Sequence, residues 1–210
     1  MSLSLSHKHT HVHVALRQTP LFLICRNGSK AGTELLLNAG ADISKKSLGG
    51  QTPLHIAAAY NRIDVLRFLL NKKADTNVTD SNGNTALHFA SRCGSLILLT
   101  ALCEAGAKVD TRNSAGLSAM HICAQNGFGA LIAYLKEKKA SPNTQDKEGN
   151  TPMHIASMCG FPRCVRVLLE NGGKPTIANR SGKRPGDVAV SKQVSDAFVE
   201  KESAASKEGK

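Results

Sequence analysis

The hydrophobic pattern of this chain switches on and off with a regular beat. Short apolar clusters ("PLHIAAA", "ALHFAS", "AMHICA", "PMHIAS") are each followed, after a Gly or Asn, by a second apolar run, as in "IDVLRFLL", "LILLTALC" and "CVRVLLE". In these second runs Leu, Val and Ile fall at i, i+3 and i+4, the spacing that lines one face of a helix. Polar stretches such as "ADTNVTDSNGN" and "ASPNTQDKEGN", rich in Asp, Asn and Gly, close each unit as turns. The pattern predicts pairs of helices separated by polar turns.

The beat is 33 residues. Thr52, Thr85, Ser118 and Thr151 are each 33 apart; one step back reaches Thr19 in "TPLFLICRNG", and one step forward reaches Arg184 in "RPGDVAV", a degraded copy. A fixed period without insertion or deletion decides the architecture before any single residue is weighed. Within each unit the Thr or Ser caps the first helix, and Pro at its first position loses no needed donor. Small residues (Ala57, Ala58, Ala59, Ala90, Ala124, Ala156) let that helix approach its neighbours closely. Gly28, Asn61, Gly94, Gly127 and Gly160 stop it.

The phrase T-P-L-H-x-A, the 33-residue unit and endings such as "GADI" and "KADTN" resemble the ankyrin repeat. The resemblance spans about residues 14–200. It implies an all-α ankyrin-repeat solenoid in which each helix-turn-helix carries a β-hairpin-like turn. The expected repeats are 14–46, 47–79, 80–112, 113–145 and 146–178, with a shortened capping repeat at 179–200. A flexible N-terminal tail (1–13) and a disordered C-terminal tail (201–210) flank them. A single unit buries too little apolar surface to stand alone, so stability comes from stacked neighbours. The terminal units are atypical: Phe22 and Ile24 stand where His and Ala recur, and Asp187 replaces the last His.

His55, His88, His121 and His154 recur at one position of the unit. They read either as a metal or acid–base set, or as buried imidazoles bonded to the capping Thr or Ser and the neighbouring turn. Successive units lie about 10 Å apart, whereas zinc ligands converge to about 2 Å from the metal. The structural role follows, with no metal site. His7, His9, His11 and His13 alternate along one face of an extended tail; a weak transition-metal site is the sharper reading and a flexible tail the plainer one, favoured because nothing follows to order it. Cys25, Cys93, Cys103, Cys123, Cys159 and Cys164 include no C-x-x-C pair. Without an apolar signal segment, they point to a reducing compartment, cytoplasmic and also nuclear.

The sequence contains no G-x-S-x-G, no phosphate-cradling Gly loop and no convergent carboxylate pair, so neither an enzyme nor a cofactor is expected. The resemblance implies a non-enzymatic, monomeric protein-interaction module, an adaptor or an inhibitory subunit, whose turn tips and first-helix ends form a concave ridge. Its expected contact residues are Arg26, Lys46, Tyr60, Asn82, Arg92 and Cys93 in the first half, then Arg112, Leu117, Gln125, Asn126, Lys147 and Met158. Asn27, Leu48, Ser81, Ser114 and Glu148 fill the same ridge. These positions vary from unit to unit while the framework repeats.

The chain carries 27 Lys and Arg against 16 Asp and Glu, a net charge of +11. On the ridge only Glu148 is acidic, which points to an acidic protein partner. The rival is a basic scaffold holding nucleic acid or other polyanions non-specifically. The absence of Trp and the shortage of other aromatics weigh against nucleic acid. Two finer expectations concern the end of each unit. Gly40, Gly106 and Gly172 follow second helices where a left-handed residue is favoured, while Lys73 and Lys139 occupy that position in the other two repeats. The resemblance also marks Asn77 and Asn143, each eight residues after a Leu, as possible asparaginyl hydroxylation sites, against a role in bonding the turn.

Overall fold

The computed structural model describes residues 19–199. The expected N-terminal tail with its four histidines, the start of the first repeat and the expected C-terminal tail lie outside the described residues. The helices begin where the caps predict. Thr19 and Pro20 start α1 (Pro20–Asn27), Thr52 and Pro53 start α3 (Pro53–Ala59), and Thr85 starts α5 (Ala86–Cys93). Ser118 starts α7 (Ala119–Gln125), and Thr151 with Pro152 starts α9 (Pro152–Met158). Each first helix is short and is followed by a partner: α2 (Lys30–Asn38), α4 (Ile63–Asn71), α6 (Leu96–Glu104), α8 (Gly129–Glu137) and α10 (Pro162–Glu170). The stops adopt the left-handed conformation that ends a helix, including Asn61 at φ 53°. No strand occurs among the described residues, and the fold is an all-helical solenoid of repeated hairpins.

The chain divides into two compact units at Lys108 and Val109. In the first unit α1, α3 and α5 pack on one another, as do α2, α4 and α6 behind them. Its core is aliphatic: Leu21, Leu54, Leu66, Leu69, Leu87, Leu98, Leu99 and Leu102 are essentially solvent-free. Ala57, Ala58 and Ala90 are fully buried between first helices, where larger side chains would force them apart. The second unit packs α7 on α9 and α8 on α10 around Met120, Ile122, Ile132, Leu135, Met153 and Leu168. It ends in a 3-10 turn (Pro185–Val188) and helical residues 192–199. Gly186 weakens that last first helix. The Asp187 carboxylate takes the place of the His and accepts from the Arg184 N–H at 2.8 Å.

The polar segments fold into tight hairpin-like turns. Within them Asp80 N–H donates to Asn84 O at 2.9 Å, and Asp146 N–H to Asn150 O at 2.9 Å. The carboxylates of Asp80 and Asp146 accept further backbone N–H groups inside their own loops. Successive tips then bond to each other: Ser81 N–H to Gly49 O at 2.9 Å, Lys147 N–H to Ala115 O at 3.1 Å, and Arg180 N–H to Glu148 O at 3.0 Å. This contact requires Gly149, at φ +80°, because a Cβ there would lie 2.7 Å from Arg180 N.

Candidate interaction surface

What holds the surface is the recurring histidine. His55 Nε2 lies 3.1 Å from Asn84 O, a carbonyl that can only accept, so Nε2 carries the proton. In the neutral ring Nδ1 is therefore bare, and it accepts from the Thr52 N–H at 3.0 Å and from the Thr52 hydroxyl at 2.8 Å. His121 repeats this with Ser118 and Asn150, and His154 with Thr151 and Lys183. His88 Nδ1 accepts from Thr85 in the same way. Burial pushes His55, His121 and His154 below the ordinary imidazole range, and their bonds to carbonyls oppose this only in part. The imidazoles of His55, His121 and His154 each join the cap of one helix to the turn that follows it. Among the described residues no group of His, Cys, Asp and Glu is arranged to hold a metal ion.

In the first unit this scaffold presents the ends of α1, α3 and α5 side by side. Between them lies a groove of about 350 Å³ lined by Phe22, Arg26, Gln51, Ile56, Ala59, Tyr60, Phe89, Arg92 and Cys93. Four residues expected on sequence grounds, Arg26, Tyr60, Arg92 and Cys93, meet here. The Arg92 guanidinium sits over Phe89 of its own helix, 5.8 Å from the ring centre. Tyr60, 48% exposed, is covered by Arg26 at 5.9 Å. Phe89 in turn meets His55 edge-on, with ring centres 5.7 Å apart and planes at 88°. Cys93 donates its thiol hydrogen to the carbonyls of Ala58 and Ala59. Desolvation lifts this thiol above its ordinary value, with Arg92 opposing, so it stands as a neutral donor.

Lys46 and Asn82 do not line the groove. Both are exposed on turn tips, where the Lys46 ammonium reaches Thr79 O at 3.4 Å. In the second unit Arg112 is exposed but donates to Gln145 O at 3.1 Å, which ties two turns together. Leu117 is half-buried and Lys147 exposed, both on turns. Gln125, Asn126 and Met158 crown the ends of α7 and α9; the Asn126 amide caps its own helix by donating to Ile122 O at 2.8 Å. Asn77 and Asn143 hold the next turn through both amide atoms. Asn77 donates to Gly106 O and accepts from the Lys108 N–H, and Asn143 does the same with Gly172 and Lys174.

Phe22 and Ile56 are core residues, as periodicity assigns them, and only border the groove; Phe89, half-buried at its edge, is the residue that periodicity does not separate from the core. The available signal was Phe89 itself, an aromatic with Arg three residues later at a position occupied elsewhere by Leu23, Ile56, Ile122 and Ile155. Residues three apart on a helix are neighbours on its surface.

The family model described as ankyrin repeats (3 copies) matches residues 2–80, 21–113 and 98–179. Among solved structures 614 chains match. One is the ankyrin repeat domain of Bcl-3, described as a unique member of the IkappaB protein family. It is 30% identical with a TM-score of 0.79, over 88% of this chain and 83% of that one. No curated protein sequence matches significantly.

Proposed function

This chain belongs to the ankyrin repeat family, and we propose that it is a non-enzymatic adaptor or inhibitory subunit that docks an acidic surface of another protein. Ankyrin repeats mediate protein–protein interaction in general; the finer reading rests on the groove of the first unit. There two guanidiniums lie over aromatic rings, and none of the lining residues is a carboxylate. Arg and aromatic residues in a recessed surface are the side chains that dominate binding energy at protein interfaces. The likeness to Bcl-3, a member of the IkappaB family, fits a regulatory role. The cysteines fit a reducing compartment, the cytoplasm or nucleus: Cys25, Cys123 and Cys164 are buried, and burial raises the Cys25 and Cys164 thiols to about 11.

Nucleic acid is the weaker partner. A stacking platform for bases needs exposed ring faces, and a guanidinium already lies over one face of each of Tyr60 and Phe89. The test compares charge reversals. Arg26→Glu with Arg92→Glu removes the groove cations, while Lys138→Glu with Lys139→Glu removes equal charge from the end of α8. Capture from native extract, read by mass spectrometry, is expected to lose its specific partner with the groove pair and keep it with the lysine pair. Equal losses would reduce the interaction to diffuse attraction. Binding to random-sequence DNA that survives physiological salt would favour the polyanion reading instead.

A further inference from the structure

We infer that the groove of the first unit recognises a short extended segment with one apolar side chain between two acidic residues, and that the apolar side chain seats on the half-buried Ala59 and Phe89. The inference rests on the acidic-partner reading above and specifies its ligand. Three observations carry it.

The groove holds about 350 Å³, at the low end of the range for binding pockets. That is room for one side chain with its flanking backbone. The apolar surface it offers is that of the half-buried Ala59 and Phe89, since Phe22 and Ile56 are only 2% and 6% exposed, and an occupant that brings only charge leaves the Phe89 ring edge in contact with water.

The cations stand at opposite sides of that surface. Arg26 comes from the end of α1 and Arg92 from the end of α5, with α3 between them. Helices packed in this way lie about 8–10 Å apart between axes. The two helix ends are thus separated by roughly two such spacings, shortened on one side by the lean of Arg26 over Tyr60. Four residues of extended chain span about 13 Å. Two carboxylates at i and i+4 then reach one guanidinium each, with the side chain at i+2 between them. A guanidinium lying over a ring keeps its N–H edge free for a bidentate carboxylate.

Finally, charge selects the occupant. A cationic or methylated-lysine segment would bring a third positive charge beside Arg26 and Arg92 with no carboxylate in the lining to receive it. One face of each ring that would otherwise hold it is already occupied by a guanidinium.

The probe is a labelled peptide, Gly-Asp-Ser-Leu-Ser-Asp-Gly, titrated with the full chain and followed by fluorescence anisotropy. Replacing its Leu with Ala is expected to weaken binding about tenfold to a hundredfold. Replacing both Asp with Lys is expected to abolish it. Arg26→Gln and Arg92→Gln each cost about tenfold with unchanged circular dichroism; Arg92 is exposed and Arg26 half-buried, each at a helix end and outside the core. An Ala peptide that binds as well as the Leu peptide overturns the anchored segment and leaves the acidic-partner reading standing. A Lys peptide that binds as well as the Asp peptide sinks both. If no peptide binds, this inference falls, and the charge-reversal capture alone decides the broader one.

Discussion

The first-helix ends of residues 19–108 carry Arg26, Tyr60 and Arg92 around an apolar groove, whereas those of residues 109–199 carry Gln125, Asn126 and Met158. Beneath that difference the two units are built alike. Thr52 and His55 are joined at 3.0 and 2.8 Å in one, Ser118 and His121 at 3.1 and 2.9 Å in the other, and both imidazoles reach the next turn at 3.1 Å. Positions that must satisfy buried backbone groups are pinned, because an unmade buried bond costs more than most surface contacts return. At the helix ends Cys93 and Asn126 bond backbone carbonyls, but among the described residues no such bond pins Tyr60, and positions of that kind are open to become a binding site. The N-terminal repeat marks the boundary of the rule. There Phe22 replaces the His, and among the described residues the buried Thr19 hydroxyl has no hydrogen-bond partner.

The comparison breaks most severely if the framework histidine is removed. His121→Leu leaves the Ser118 N–H without its acceptor in a buried site and takes one of two donors from the Asn150 carbonyl, the Asp146 N–H at 2.9 Å remaining, at a cost of about 2–3 kcal/mol. Urea unfolding followed by circular dichroism measures it. A loss below about 1 kcal/mol would mean that packing, not these bonds, joins helix to turn.

Acid tests the same bonds in both units at once. The folded protein holds His55, His121 and His154 below their ordinary value, mainly by desolvation. Below about pH 6.5 the unfolded chain therefore takes up protons that the folded chain refuses. The stability from neutral imidazoles is complete above the ordinary His value and is lost as pH falls from there toward the depressed folded values. The melting temperature should drop across that window, and His121→Leu should flatten the slope. A melting temperature that is level from pH 7.5 to 5 would refute the neutral-imidazole framework.

A smaller effect separates conformation from stacking within the second unit. Gly149 and Gly182 both have positive φ, but only at Gly149 would an added Cβ strike backbone, 2.7 Å from Arg180 N; at Gly182 nothing lies within 4 Å. Gly182→Ala is expected to cost about 1 kcal/mol, the left-handed penalty alone. Gly149→Ala should cost about 2–3 kcal/mol, since the tip-to-tip bond must also give way. Equal losses in thermal melts would show that the tips can slide apart freely.

The framework was legible because its partners sit at constant offsets: a cap, a His three residues on, and a turn carbonyl 29 residues after that His. Repetition made these separations visible without coordinates. The groove was legible only in part. Variable positions could be mapped to the helix ends, but the Arg26–Tyr60 contact joins different positions of neighbouring repeats, which no single repeat displays. Nor does hydrophobic periodicity separate Phe89, at the groove, from Leu87, in the core. That distinction depends on which neighbour packs against each side chain.

The least of the expected effects is a gain, and it asks whether the two units respond alike. Lys73 and Lys139 follow α4 and α8 at φ 64° and 69°, the position held at φ 89°, 89° and 86° by Gly40, Gly106 and Gly172. A side chain in this conformation costs roughly 1–2 kcal/mol, because its Cβ crowds the following carbonyl. Part of that is offset by positive charge near the negative end of a helix, worth about 0.3–1 kcal/mol. The neighbouring lysine already supplies such charge in both units. The Lys72 ammonium lies 5.6 Å from the Phe68 ring and that of Lys138 lies 5.3 Å from Tyr134. Removing the second lysine should therefore relieve more strain than it loses in attraction, even after glycine's added freedom in the unfolded chain. Lys73→Gly and Lys139→Gly are each expected to stabilise by about 0.5–1 kcal/mol, seen as a higher urea midpoint with an unchanged slope. Equal gains would show that the backbone at this turn, shared by both units, sets the cost. A gain at Lys139 alone would assign a contact to Lys73, which lines a cavity of about 770 Å³ with Arg67, Asp75 and Glu104. Loss of stability at both would mean that strain at this turn is outweighed by the charge.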